Sequence, residues 1–82
     1  MNDRNEIFAQ LKTLLTEMFD VEADAVVPTA KLYDDLDIDS IDAVDLIVRL
    51  QEITGKKIQP DVFKSARTVA DVVDAVDNLL HR

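Results

Sequence analysis

Apolar residues along this chain recur mostly at helical intervals. Ile7, Leu11, Leu14, Leu15 and Met18 keep the three-and-four spacing that places side chains on one face of an α-helix. Asp3, with Glu6 three residues on, resembles a capping box, so a first helix is predicted over about 4–19. A second is predicted over about 40–53, ending near Gly55, the one glycine of the chain, where a left-handed cap costs least. Pro60 starts a short turn of helix through about Ala66. A last helix begins at Thr68, whose hydroxyl caps while Asp71 supplies the acid three residues on, and Val69, Val72, Val73, Val76 and Leu80 form its buried stripe. The expected fold is all-α: three longer helices and a short third one in a single domain over residues 1–82.

Residues 20–39 form a connection long enough to count against that plan unless it is anchored. Val26, Val27, Leu32, Tyr33, Leu36 and Ile38 are the expected anchors, with Pro28 stiffening its middle.

Composition narrows the function. With 82 residues there is room for one modest core and no separate catalytic lobe. Nine Lys+Arg against seventeen Asp+Glu leave a formal charge of -8, which repels phosphate backbones and anionic headgroups. Nucleic-acid and membrane-surface binding are therefore disfavoured. The absence of cysteine removes disulfides and thiolate metal sites. No stretch approaches the ~20 apolar residues that span a bilayer, and the polar start "MNDRNEIFAQ" does not read as a signal segment. The expectation is a cytoplasmic monomer.

The chemistry concentrates in "DDLDIDSIDAVDL", Asp34–Leu46, which holds six aspartates around Ser40. Asp35, Asp37 and Asp39 occupy positions 1, 3 and 5 of an EF-hand loop, but position 6 is Ser40 where glycine is needed, and position 12 is Leu46 where a bidentate glutamate is needed. Ser40 as a nucleophile lacks a base, since the only histidine is His81, and there is no G-x-S-x-G elbow. The plainest role of the segment is to cap the second helix, with Asp39 or Ser40 as the cap and Asp42 closing a box from Asp39.

Capping does not account for the rest of that helix. At about 100° per residue, Ala43, Leu46, Ile47, Leu50 and Ile53 share a core face. Ile41, Val44 and Val48 form a second apolar ridge, divided from the core by Gln51 and edged by Asp42, Asp45, Arg49 and Glu52. An apolar ridge with a charged rim has the anatomy of a docking surface, unless a loop covers it.

On "LYDDLDIDSIDAVDLIVRLQEITG" and "KIQPDVFKSARTVADVVDAV" the chain resembles the acyl carrier protein family over nearly its whole length. The first stretch is similar to the family's acidic loop, ending in Asp-Ser-Leu-Asp at the start of the second helix. The second resembles the short third helix and the Thr-Val start of the fourth. The resemblance implies a four-helix bundle and no enzymatic activity of its own. It implies that Ser40 receives 4'-phosphopantetheine from coenzyme A through a phosphopantetheinyl transferase, and that acyl intermediates ride on the arm as thioesters. Asp39 and Asp42 would meet the transferase. Ile41, Val44, Asp45, Val48 and Glu52 would meet partner enzymes such as a ketosynthase, acyl transferase or acyl ligase.

The family usually has Gly at Asp37, Leu at Ile41 and an acid at Gln51, and Arg49 interrupts an otherwise acidic stripe. Those departures suggest a carrier for one specialised pathway, such as polyketide, aryl polyene or modified-lipid synthesis, with Arg49 paired to Asp45 and offering a contact to a dedicated partner. Peptidyl carriers match less well, because their Gly-Gly before the serine is Leu36-Asp37 or Asp37-Ile38 here. The other reading of the residues is an unmodified acidic interaction domain or a calcium-responsive module.

Overall fold

In the computed structural model, which describes residues 3–59, 61 and 65–81, helix α1 spans Arg4–Phe19. The Asp3 carboxylate accepts from the Glu6 amide at 2.9 Å and fixes where the helix starts, a contact of the kind that contributes about 1 kcal/mol. Asp20 ends it in the left-handed region, at φ 60°. Helix α2 spans Ser40–Thr54 and stops at Gly55, φ 68°, whose amide donates to the Gln51 carbonyl at 2.9 Å. Helix α3 spans Val69–Leu80, with the Thr68–Asp71 capping box complete in both directions. All three helices therefore begin where a side-chain cap is encoded.

The short helix expected over 60–66 falls mostly outside the described residues. Its two described inner positions, Asp61 and Ser65, are helical, and the Ser65 hydroxyl donates to the Asp61 carbonyl at 3.1 Å.

One core joins the elements. Ile7, Leu11, Leu14 and Leu15 of α1 meet Val69, Val72, Val73 and Val76 of α3, and Ala43, Leu46, Ile47 and Leu50 of α2 complete it. Met18 and Leu80 are only partly buried at its margin. Arg4 ties the start of α1 to Asp74 on α3, and to Asp77 at 3.7 Å.

The long connection is anchored, though not by every residue expected. Val26, Leu32, Leu36 and Ile38 are buried, joined by Ala30, while Val27 and Tyr33 are exposed. A turn of 3-10 helix occupies Ala23–Ala25. The clasp that holds the segment is made by backbone. Lys31 and Thr68 form an antiparallel bridge, the Leu32 amide donates to the Arg67 carbonyl at 2.9 Å, and the Val69 and Ala70 amides donate to Ala30 and Pro28, each at 3.0 Å. The connection thus occupies donors at the start of α3 that would otherwise face water. Its hydrogen-bonding backbone satisfies what hydrophobic anchoring at positions 27 and 33 does not.

Ile53 departs from expectation too. It is 40% exposed on α2 rather than part of the core. Ile58 is buried instead, and its amide donates to Gln51 Oε1 at 2.9 Å. Gln51 therefore staples the chain after α2 back onto the helix, in addition to separating its two apolar faces.

Candidate functional site

Ser40 is the first residue of α2, and its presentation follows from the residues before it. Leu36 and Ile38 are buried while Asp37, Asp39 and Ser40 are exposed, so the acidic stretch is pinned at alternate positions. One hydrogen bond and one backbone conformation shape the turn: the Ile38 amide donates to the Leu32 carbonyl at 2.9 Å, and Asp37 sits in the left-handed region at φ 56°. The chain then enters α2 through a reciprocal cap. The Asp42 amide donates to Asp39 Oδ1 at 2.9 Å, and the Asp39 amide donates to Asp42 Oδ2 at 3.4 Å. Asp39, not Ser40, is the cap.

That division of labour leaves Ser40 unencumbered. Among the described residues its hydroxyl makes no hydrogen bond, and the Ser40 and Ile41 amides have no protein acceptor. An exposed serine hydroxyl beside two free first-turn amides suits attachment of a phosphate ester, because those donors and the helix dipole favour an anion. The neighbouring carboxylates oppose it. His81 is occupied elsewhere, with Nε2 3.5 Å from Asp77 Oδ1 on α3, so it does not serve Ser40 as a base.

The carboxylates of the EF-hand-like spacing have separate tasks. Asp35 Oδ2 accepts from the Lys31 amide at 2.8 Å, Asp39 caps α2, and Asp37 occupies the left-handed turn. Among the described residues no three or more metal-binding side chains come together.

Along α2 the apolar ridge stands clear of the core. Ile41 is 73% exposed, Val44 53% and Val48 47%, and the long connection does not cover them. Asp45 and Glu52 are exposed beside it and Asp42 is half-buried. The expected Arg49–Asp45 pair is not formed: Arg49 Nη1 lies 3.2 Å from Glu52 Oε2 instead. The i,i+3 partner captures the guanidinium, and Asp45 has no ion pair among the described residues.

A cleft of about 330 Å³ lined by Lys31, Tyr33, Asp34, Ala66 and Arg67 was not foreseen from the sequence. Positions 31 and 67 meet only through the backbone clasp, and backbone pairing between irregular segments leaves no periodic signal in the sequence.

The chain is similar to known proteins over nearly its whole length. A family model described as a phosphopantetheine attachment site matches residues 9–76. The chain is 49% identical to an acyl carrier protein 2 of Ralstonia nicotianae, over 92% of this chain and 93% of that one. It is 35% identical to an acyl carrier protein of Thermotoga maritima, over 98% and 99%. A solved acyl carrier protein structure from Enterococcus faecalis superposes with a TM-score of 0.77 at 28% identity, covering 93% of this chain and 96% of that one. The chain therefore belongs to the acyl carrier proteins, carriers rather than enzymes, which hold acyl intermediates of fatty-acid-type biosynthesis on a covalently attached 4'-phosphopantetheine.

Proposed function

We propose that Ser40 is the attachment residue and that residues 1–82 act as a single carrier domain. The observation that carries this reading is the split role at the start of α2: Asp39 and Asp42 cap the helix, and the exposed Ser40 hydroxyl is left without a partner. A phosphopantetheinyl transferase would form the bond from Ser40 Oγ to phosphorus and release adenosine bisphosphate from coenzyme A, with the serine proton passing to a base on the transferase. Asp39 and Asp42 are its nearest contacts. The bound group supplies a flexible thiol that holds acyl groups as thioesters. The protein's own part is to present that arm and to dock weakly and reversibly, because tethering raises the cargo's effective concentration at a docked enzyme.

Docking is assigned to the α2 ridge. Ile41, Val44 and Val48 are its apolar centre, Asp42, Asp45, Arg49 and Glu52 its rim, and a ketosynthase, acyl transferase or acyl ligase the partner. The pathway assigned is a specialised one, polyketide, aryl polyene or modified lipid, on the strength of Asp37, Ile41, Gln51 and Arg49. The chain works as a cytoplasmic monomer in this reading. No helix among the described residues is long and apolar enough to cross a membrane.

The test is incubation with coenzyme A, Mg and a broad-specificity transferase, followed by mass spectrometry. One phosphopantetheine should add to the wild type and map to Ser40, and Ser40→Ala should stay unmodified. An adduct at another residue, or none with several active transferases, removes the assignment.

A further inference from the structure

Charge changes sign partway along α2. Residues 34–48 hold six acids and no base, whereas residues 49–59 hold Arg49, Lys56 and Lys57 against Glu52 alone, and the balance stays positive when Asp61 is counted. Arg49 Nη1 sits 3.2 Å from Glu52 Oε2, so that pair cancels and the excess falls on Lys56 and Lys57. Both lysines are exposed, and neither makes an ion pair among the described residues. On a chain of charge -8, the far end of this helix is basic.

Closing the helix does not call for these lysines. The Gln51 carbonyl accepts from the Gly55 amide at 2.9 Å, and the Leu50 carbonyl accepts from the Thr54 hydroxyl at 2.7 Å, so neutral donors already serve the last turn. The segment that carries the lysines is held to α2 at two points. The Lys56 amide donates to Thr54 Oγ1 at 3.2 Å, and the Ile58 amide donates to Gln51 Oε1 at 2.9 Å while the Ile58 side chain is buried. Lys56 and Lys57 therefore project from a pinned main chain, which has less freedom to lose on binding.

An apolar side chain accompanies them. Ile53 is 40% exposed and lies one helical turn beyond Arg49. α2 thus presents two apolar points with rims of opposite sign: Ile41, Val44 and Val48 beside Asp42 and Asp45, then Ile53 between Arg49 and the two lysines. Ile41 and Ile53 are separated by roughly 18 Å at 1.5 Å per residue. A standard interface covers about 800 Å² per partner, a patch roughly 30 Å across, so one docked enzyme spans both.

We infer that Ile53, Lys56 and Lys57 form a second docking lobe, which meets an acidic patch on the partner enzyme while Asp42 and Asp45 meet a basic one. This rests on the α2 ridge as the docking surface. Two contacts of opposite sign fix which way α2 lies across the enzyme, as a field of one sign does not. They also discriminate between partners: a docking face that is basic throughout is repelled by Lys56 and Lys57, and a face with the acid in place is retained.

The test mixes the phosphopantetheine form of the whole chain with each ketosynthase of its source organism and couples the pairs with a carbodiimide, which joins an amine to a carboxylate only at contact distance. Mass spectrometry should find two classes of link to the enzyme bound most tightly: Asp42 or Asp45 to enzyme lysines, and Lys56 or Lys57 to enzyme carboxylates. Lys56→Glu with Lys57→Glu should remove the second class and weaken binding roughly tenfold at low salt, with the loss shrinking towards ~1 M salt. Lys12→Glu with Lys31→Glu makes the same change in total charge elsewhere and should weaken binding far less, while NMR shows both double variants folded. Equal losses in the two double variants assign the effect to net charge and overturn the inference. Links through Asp42 or Asp45 alone also overturn it and leave the ridge in place. No link from either end, with any of the ketosynthases, removes the ridge as the docking surface and this inference together.

Discussion

Arg49 Nη1 lies 3.2 Å from Glu52 Oε2, so the two side chains neutralise one another at the C-terminal half of the α2 ridge, while Asp42 and Asp45 further up have no ion pair among the described residues. Both partners are more than half exposed, and an exposed pair of this kind contributes about 0–1 kcal/mol. Arg49→Glu should therefore change unfolding free energy by less than about 1 kcal/mol. It should change encounter instead, since rim charges act mainly on association rate. With a ketosynthase that has a basic docking face, the variant should associate faster at low salt, and the gain should vanish near ~1 M salt, where the Debye length is about 3 Å. A salt-independent effect, or an unchanged rate, contradicts a steering role for this position.

Val48 should behave in the opposite way. It is 47% exposed in the free protein, so truncation removes little from the core, and stability should fall by well under 1 kcal/mol. On a docked partner its remaining surface leaves water. The two carbons removed by Val48→Ala correspond to about 0.8 kcal/mol each at full burial, scaled down by the half already covered. Dissociation should quicken by up to roughly fivefold with little change in association rate. Stopped-flow or surface-binding kinetics with a partner ketosynthase separates the two constants.

The helices were legible because their signals are local. Apolar spacing, Asp3, Thr68 and Gly55 each act within a few residues, and α1 and α2 begin and end within a residue of the positions they imply. The errors came where a tertiary neighbour decides. Val27, Tyr33 and Ile53 are apolar or aromatic at suitable intervals, yet they stay exposed while Ala30, Ile58 and Ala66 take places in the core. Ile58 gains its position through Gln51, seven residues back and across the end of α2 at Gly55, where the helical period no longer applies. At the candidate site, the exposed ridge was legible from the wheel and the start of α2 at Ser40 from the Asp39–Asp42 box. The choice of Glu52 over Asp45 by Arg49 was not, because both lie about one turn away and rotamers decide between them.

The Gln51–Ile58 contact makes a stability prediction. The bond is part-buried, 2.9 Å long, and satisfies a main-chain amide. A hydrogen bond in such a setting contributes about 0.5–1.5 kcal/mol, and the stranded donor adds to the loss. Gln51→Ala should lower the urea-unfolding free energy by about 1 kcal/mol or more, whereas Gln51→Glu retains an acceptor and should lose less. Equal losses in the two variants exclude the staple as the cause.

Asp37, at φ 56°, lies in a region that costs most L-residues roughly 1–2 kcal/mol and aspartate less, because its short side chain tolerates it. Glycine would remove the strain but would gain about as much conformational freedom in the unfolded chain, some 0.5–1 kcal/mol. Asp37→Gly should therefore be within about 0.5 kcal/mol of wild type. Asp37→Val combines the left-handed strain with a β-branched side chain and should lose at least about 1 kcal/mol. Chemical denaturation of the two variants reads the difference, and a neutral Val variant would mean that the turn relaxes out of the left-handed conformation.

Asp71 links pH to the clasp between the long connection and α3. Main-chain donation from Arg67, at 2.9 Å, and from Thr68, at 3.1 Å, holds its carboxyl below the ordinary aspartate range, with the Thr68 hydroxyl and the Arg67 charge adding smaller contributions and desolvation opposing them. A depressed folded-state pKa means that the unfolded chain takes up this proton first as pH falls. The stabilisation is therefore complete above the unfolded value of about 4, and is lost progressively as pH drops through that value and then through the lower folded one. Asp71→Asn keeps the side-chain shape and removes the titration. The variant should unfold more easily than wild type at neutral pH, and the gap should stay constant down to about pH 5. Below about pH 4 the gap should narrow as the wild-type carboxylate is protonated. Urea denaturation of both proteins across this range measures the gap directly, and a gap that does not narrow in acid would place the stabilising role of Asp71 in its shape rather than its charge.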